Sequence, residues 1–377
     1  MKNRSLAIVA LVLGAISILL SAYLVSPADV VEFLLPLLAA SLTAVQGLLI
    51  TVGLVMLALS QTLSPATSRG LRVARIALVA TAVMVVGATL VRDYARYSRE
   101  TVRFAGYDVN VEGTVYSPRG VTGKVPGVLI LHGSGDSPRR AYHFIARRFA
   151  ERGFIVLNVD KRGVGGSEGR YYGDDLGKGV IEQRARDSRP ALDYLARHPD
   201  VDVSRIGVVS FSQGGWVAPL LLAGDTPARF AVNFSGPAVS SAEENVWSDW
   251  TGEDQDHFGL NPPPVPFEEL YRRLADVKPG DFDPRPHLAR MRAPSLWLLG
   301  EWDSSMPSQA SLGILDSLRV RGLPITARMF PGANHGLMVV RGPGGSRLAS
   351  FAPGTWDTAF AWIERVGEGR TAQEGND

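Results

Sequence analysis

Three side chains far apart in the chain are of the types that acyl transfer needs: a hydroxyl at Ser212, a carboxylate at Asp303 and an imidazole at His335. Ser212 stands in the stretch Ser210-Phe211-Ser212-Gln213-Gly214-Gly215, preceded by a short apolar run at 206–209 and followed by apolar and small residues at 216–223. This spacing predicts a strand, a tight turn and a helix with the serine at the apex. In that context the hydroxyl projects from the top of a sheet, and small residues two before and two after keep the strained turn from clashing. The usual pattern has glycine where this chain has Ser210, which is still small enough for the turn. A serine hydroxyl is a poor nucleophile at neutral pH. It needs an imidazole to take its proton, and the imidazole needs a carboxylate to hold its tautomer.

The other requirement is a pair of fixed donors for the negative charge that attack builds on a carbonyl oxygen. The backbone N–H of Gln213, directly after the serine, is one candidate. The second is the N–H of Ser134, in His132-Gly133-Ser134-Gly135 after the apolar run 125–131. His132 is expected to order that loop by hydrogen bonding. No metal-ligand spacing exists among the six histidines, and no cofactor motif survives inspection. The segment 163–168 lacks the third glycine of a dinucleotide loop, and 173–179 is one residue short of a phosphate-binding loop. Glu301, two residues before Asp303, is the alternative acid.

Positioning these groups falls to alternating elements. Strands are expected at 109–116, 125–131, 154–159, 206–209, 230–234, 295–299 and 325–330. Helices are expected at 141–152, 181–197, after Ser212, at 309–321 and at 356–366. Apolar strands alternating with helices imply an α/β domain with a mostly parallel sheet covered on both faces. Ligands bind such sheets beyond the carboxyl ends of the strands, where all the candidate residues fall. The long insertion at 237–290 reads as a helical lid with a helix near Phe267. Its Trp247, Trp250, His257 and Phe258 either line a substrate pocket or pack the lid down, and Glu243 and Glu244 are candidates for holding a substrate's free amine.

Together the ordered stretches His132-Gly133-Ser134-Gly135, Asp160-Lys161-Arg162-Gly163-Val164-Gly165-Gly166-Ser167, Ser210 to Gly215, Asp303 and Asn334-His335-Gly336 resemble the alpha/beta-hydrolase superfamily over about residues 108–366. The Asp-Lys-Arg-Gly-x-Gly part is similar to its serine esterases and aminopeptidase-like hydrolases rather than to classical lipases. The resemblance implies an alpha/beta-hydrolase fold and a serine hydrolase acting on esters, thioesters or amides through an acyl-enzyme, with no cofactor and no metal. A carboxylesterase is the first expectation, an aminopeptidase-like amide hydrolase the second, and a non-catalytic binding module on the same fold the third.

The first hundred residues have a different texture. Uncharged runs at 6–25, 33–60 and 76–91 are each expected to cross a hydrocarbon core of roughly 30 Å, making three transmembrane helices. The division expected is a membrane domain at 1–100, a hydrolase domain at 101–370 and a disordered tail at 371–377. Residues 1–103 carry nine Lys or Arg against four acids, a net +5, so the remainder carries −3. A mildly acidic main domain gives no electrostatic reason to expect nucleic acid. Basic residues before the first and third spans place the amino terminus in the cytoplasm and the catalytic domain outside, against the pull of Arg92, Arg96, Arg99 and Arg103. With no cysteine, thiol catalysis and disulfides are excluded.

Overall fold

The computed structural model describes residues 96–173, 177–253, 264–341 and 348–367. These fall almost wholly in one of the two units into which the chain divides, Ser98–Asp377. The three expected spans and the tail lie outside the described residues. Among the described residues no helix is long and apolar enough to cross a membrane.

An eight-stranded sheet forms the centre, in the order β1-β2-β4-β3-β5-β6-β7-β8. Its strands are β1 (Tyr97–Ala105), β2 (Asn110–Pro118), β3 (Val125–Leu131), β4 (Ile155–Val159), β5 (Val201–Phe211), β6 (Phe230–Phe234), β7 (Ser295–Gly300) and β8 (Ile325–Phe330). β2 runs antiparallel to β4, and every pairing from β4 through β8 is parallel. The mostly parallel sheet expected from the apolar runs is therefore present.

Strand periodicity sends alternate residues to opposite faces. Leu129, Leu131, Ile155, Leu157, Ile206 and Val208 join one core with residues of α2 (Lys178–Ala196), α3 (Gly214–Leu222) and α7 (Ser308–Val320). Their neighbours Val128, Ile130, Val156 and Val209 are just as buried on the other face. There α1 (His143–Glu151) and α8 (Thr355–Gly367) meet through Phe149 and Phe360, ring centroids 4.9 Å apart. Burial on both faces is why these strands read as continuous apolar runs rather than as alternation.

Between β6 and β7 the chain leaves the sheet for α4 (Ser241–Thr251), α5 (Phe267–Leu274) and α6 (Arg285–Leu288). Trp247 is fully buried against Phe267 and Tyr271, and Trp250 joins the same cluster. Of the two uses considered for these aromatics, packing the insertion is the one observed. His257 and Phe258 lie outside the described residues. After β8 a short hairpin, β9 (Met338–Arg341) with β10 (Leu348–Phe351), forms a second sheet that the sequence pattern did not signal.

Ser210 explains how the elbow does without its usual glycine. The side chain is fully buried, and its hydroxyl donates to Asn233 Oδ1 on the adjacent strand, while Asn233 Nδ2 donates to Leu296 O at 3.4 Å. A buried hydroxyl left without a partner costs about 1–3 kcal/mol. Asn233→Ala should therefore lower stability by about 2–3 kcal/mol in denaturant unfolding. In a Ser210→Ala background the same change should cost less, because the orphaned hydroxyl is gone. Equal losses in both backgrounds would mean the pair is not coupled.

Candidate active site

Ser212 sits just past the end of β5 with φ +49°, a left-handed backbone unusual for a residue other than glycine. Its N–H donates to Phe234 O at 3.0 Å, and its carbonyl accepts from Gly215 N at 2.7 Å, closing the turn into α3. Glycine is required on the helical side. A Cβ at Gly214 would lie 2.6 Å from Leu131 O, and one at Gly215 would collide with the Gly236 backbone.

Asp303 and His335 are joined directly. His335 Nδ1 lies 3.0 and 2.9 Å from the two Asp303 carboxylate oxygens. Asp303 is 1% exposed, and its Oδ1 also accepts from the N–H groups of Ser305 and Met306 at 2.9 Å. An ionised carboxylate only accepts, so in the neutral ring Nδ1 carries the proton and Nε2 keeps its lone pair. The His335 loop is fixed by Asn334, whose Oδ1 accepts from Gly336 N and Met338 N at 3.0 Å. Glu301, the alternative acid, accepts instead from Gly332 N at 2.8 Å and so braces the same loop.

One dipeptide brings the serine and the histidine to the same place. Phe234 O holds Ser212 N–H, and the next hydroxyl, Ser235 Oγ, donates to His335 O at 2.6 Å. Ser235 itself has φ +48°. Sequence reasoning missed it, although a small polar residue directly after an apolar strand end was the available signal. The insertion adds a further brace: Trp247 Nε1–H donates to Asp303 O at 3.0 Å, and Thr251 Oγ1 donates to Ser304 O.

The His132–Gly135 loop lies against the serine; a Cβ at Gly133 would come 3.2 Å from Ser212 Cβ. His132 is buried, stacked on Tyr142 at 3.9 Å, with Nε2 2.7 Å from Asn158 Oδ1. Burial above all, aided by the Lys161 charge, pulls its pKa down to about 3, so it is a neutral ordering residue. Gly133 N–H donates to Tyr142 OH at 2.8 Å. Neither Ser134 N–H nor Gln213 N–H donates to another described residue. The segment 163–166 is the turn its spacing suggested: Gly163 and Gly165 have positive φ, and Gly166 N–H donates to Asp160 Oδ2 at 2.9 Å.

Of the two lid acids, Glu243 is taken up structurally. It forms the capping box of α4 with Ser240 and pairs with Arg285 at 3.0 Å, so it does not wait for a substrate's amine. Ser240-x-x-Glu243 was legible as that box. Glu244 lies close enough to His335 and Asp303 to feel their charge, and burial pushes its carboxyl up to about 8. Among the described residues no group of three or more His, Asp or Glu side chains could hold a metal ion.

The profile of the prolyl oligopeptidase family matches residues 140–351. The chain is 29% identical over 221 residues to acylamino-acid-releasing enzyme 2 of Oryza sativa subsp. japonica, covering 56% of this chain and 27% of that one. It is 27% identical over 222 residues to dipeptidyl-peptidase 5 of Porphyromonas gingivalis, covering 56% and 30%. With the human acylamino-acid-releasing enzyme it shares 24% over 253 residues, covering 64% and 33%. The chain thus spans a third or less of the length of these relatives. Two solved structures share the fold: the acylaminoacyl peptidase of Pyrococcus horikoshii, with TM-score 0.52, 17% identity and coverage of 77% of this chain and 45% of that one, and the esterase Pf2001 of Pyrococcus furiosus, with TM-score 0.50, 19% identity and coverage of 74% and 92%.

Burial alone would lower the His335 pKa, but the Asp303 charge and hydrogen bond, with Glu253 behind them, outweigh it and raise it above the ordinary value of 6.5. An NMR titration of the His335 ring should therefore show a midpoint above pH 6.5. In Asp303→Asn the midpoint should fall, since the charge is gone and burial stays. An unchanged midpoint would show that Asp303 does not set it.

Proposed function

The chain belongs to the prolyl oligopeptidase family, a family of serine hydrolases, and from that premise we propose that it is a peptidase-like enzyme cleaving small amide or peptide bonds, with Ser212 as nucleophile, His335 as base and Asp303 as its orienting acid. The observation that carries this reading is the Asp303–His335 hydrogen bond, placed beyond the strand ends beside a serine held at positive φ. The family and the named relatives favour amide cleavage over the carboxylesterase expected first, with the match confined to a third or less of those relatives' length.

In the proposed cycle the Ser212 proton passes to His335 Nε2 as Oγ attacks the carbonyl carbon. The oxyanion sits between the N–H groups of Ser134 and Gln213. Collapse expels the amine, which takes the proton back from the imidazolium. Water, activated by the same nitrogen, then releases the acid from the acyl-serine. The residues for this are all on the chain, and the mechanism draws on no further group.

Within the peptidase reading, a blocked amino terminus suits the site better than a free one. Glu243 is occupied by Ser240 and Arg285, and a Glu244 carboxyl raised to about 8 is largely uncharged at neutral pH. Such a group offers a hydrogen bond rather than a counter-charge. The N-terminal runs at 6–25, 33–60 and 76–91 are proposed as a membrane anchor on the strength of their length and lack of charge.

The test is labelling by a fluorophosphonate followed by a substrate panel. The intact chain should label and Ser212→Ala should not. Among N-acetyl-aminoacyl anilides, free aminoacyl anilides and short aryl esters, the N-acetylated amides should give the highest kcat/KM relative to their uncatalysed hydrolysis. His335→Ala and Asp303→Asn should each lower kcat by a factor of about 10³ or more with the fold intact. Absence of labelling in the wild type would leave a binding module on this fold, and a preference for aryl esters alone would restore the esterase reading.

A further inference from the structure

We infer that Lys161 and Arg184 are positioning residues for the oxyanion donor, gripping the carbonyl side of the His132–Gly135 loop so that the Ser134 N–H is both aimed and strengthened. This rests on the reading of Ser212 as nucleophile and names machinery that reading does not include.

The contacts are specific. Lys161 Nζ donates to Gly133 O at 3.0 Å, to Ser134 O at 3.3 Å and to Gly135 O. Arg184 Nη1 adds a second bond to Gly133 O at 3.4 Å. Both cations sit over the ring of Tyr171, at 5.6 and 5.9 Å from its centroid, and Arg184 also donates to the Tyr171 hydroxyl at 3.3 Å. An ammonium has three donors and no acceptor, so three successive carbonyls are what it can satisfy.

Gly133 O and Ser134 N–H belong to one trans peptide unit and point in opposite directions. Holding the oxygen therefore fixes where the hydrogen points. It does more than that, because the two atoms share one resonance system. Two cations at the oxygen draw electron density from the nitrogen and make its hydrogen a better donor, the cooperativity expected of linked hydrogen bonds. The preceding N–H, that of Gly133, is already used by Tyr142, and Gly133 packs against Ser212. Ser134 N–H is thus the first donor of the loop that remains for a substrate.

The effect should grow as charge develops on the substrate oxygen, which gives it a signature that a merely structural role lacks. Lys161→Met keeps the length of the stem and removes the charge. On the fastest substrate of the panel, it is expected to lower kcat tenfold or more while KM changes less than about twofold. Affinity for a matched trifluoromethyl ketone, which forms a tetrahedral oxyanion on Ser212, should fall by the same factor as kcat. Lys161→Arg should restore most of both, and Arg184→Met should show the same pattern at smaller size. Wild-type kcat and ketone affinity in Lys161→Met would overturn the inference while leaving Ser212 labelling, and so the hydrolase reading, intact. So would a loss carried by KM alone. Should Lys161→Met fail to fold, Arg184→Met decides, and an unchanged ketone affinity there counts against the inference. Failure of the wild type to label at Ser212 would remove both readings together.

Discussion

The molecule is built around a serine held where a serine does not readily go. A left-handed backbone at a residue with a side chain costs about 1–3 kcal/mol and persists only when its surroundings over-determine it. At Ser212 they do. The β6 carbonyl holds its N–H, Gly215 closes the turn, and Gly214 and Gly215 let Leu131 and Gly236 approach without a Cβ between them. The buried Ser210–Asn233 pair ties the end of β5 to β6. Each of these depends on the parallel register of β3, β5 and β6, so the sheet's order is also the precision of the elbow.

Around that serine the charges are sorted by sign. On one side lie Asp303 and Glu253, which favour a positive imidazole. On the other lie Lys161 and Arg184, behind the peptide that would meet a negative oxygen. Moving a proton from a hydroxyl to an imidazole while charge appears on a carbonyl separates charge along this same direction. A field built before the substrate arrives needs no rearrangement when the charge develops.

Much of this was legible because burial leaves a mark on sequence. The run that became β3 is a continuous apolar stretch, that of β6 is broken only by Asn233, and the ends of β3, β6 and β8 in the structure agree with the ends read from the residues. The order serine, acid, histidine after successive strands was equally visible. What escaped was whatever depends on partners rather than pattern. Nothing local to Asn233 says that its amide answers the serine directly opposite it on the neighbouring strand. Lys161 lies inside a recognised stretch, yet a cation that grips carbonyls leaves no complementary residue to read. β5 was expected to be shorter, because Asp202, Ser204 and Arg205 at its start are polar and only its far half is buried. Glu243 was read together with Glu244 as a holder of a substrate's amine, since adjacent acids in a helix's first turn look alike until one of them finds Ser240 and Arg285.

The hydrogen bonds from Trp247 and Thr251 to the carbonyls of Asp303 and Ser304 make the insertion something other than a detachable cover. Its first helix is a buttress for the acid, with an indole fully enclosed to make the joint. Exchanging this insertion for another to change specificity would therefore transplant part of the catalytic frame. A graft that omits an equivalent of Trp247 would loosen the carboxylate it was never meant to touch.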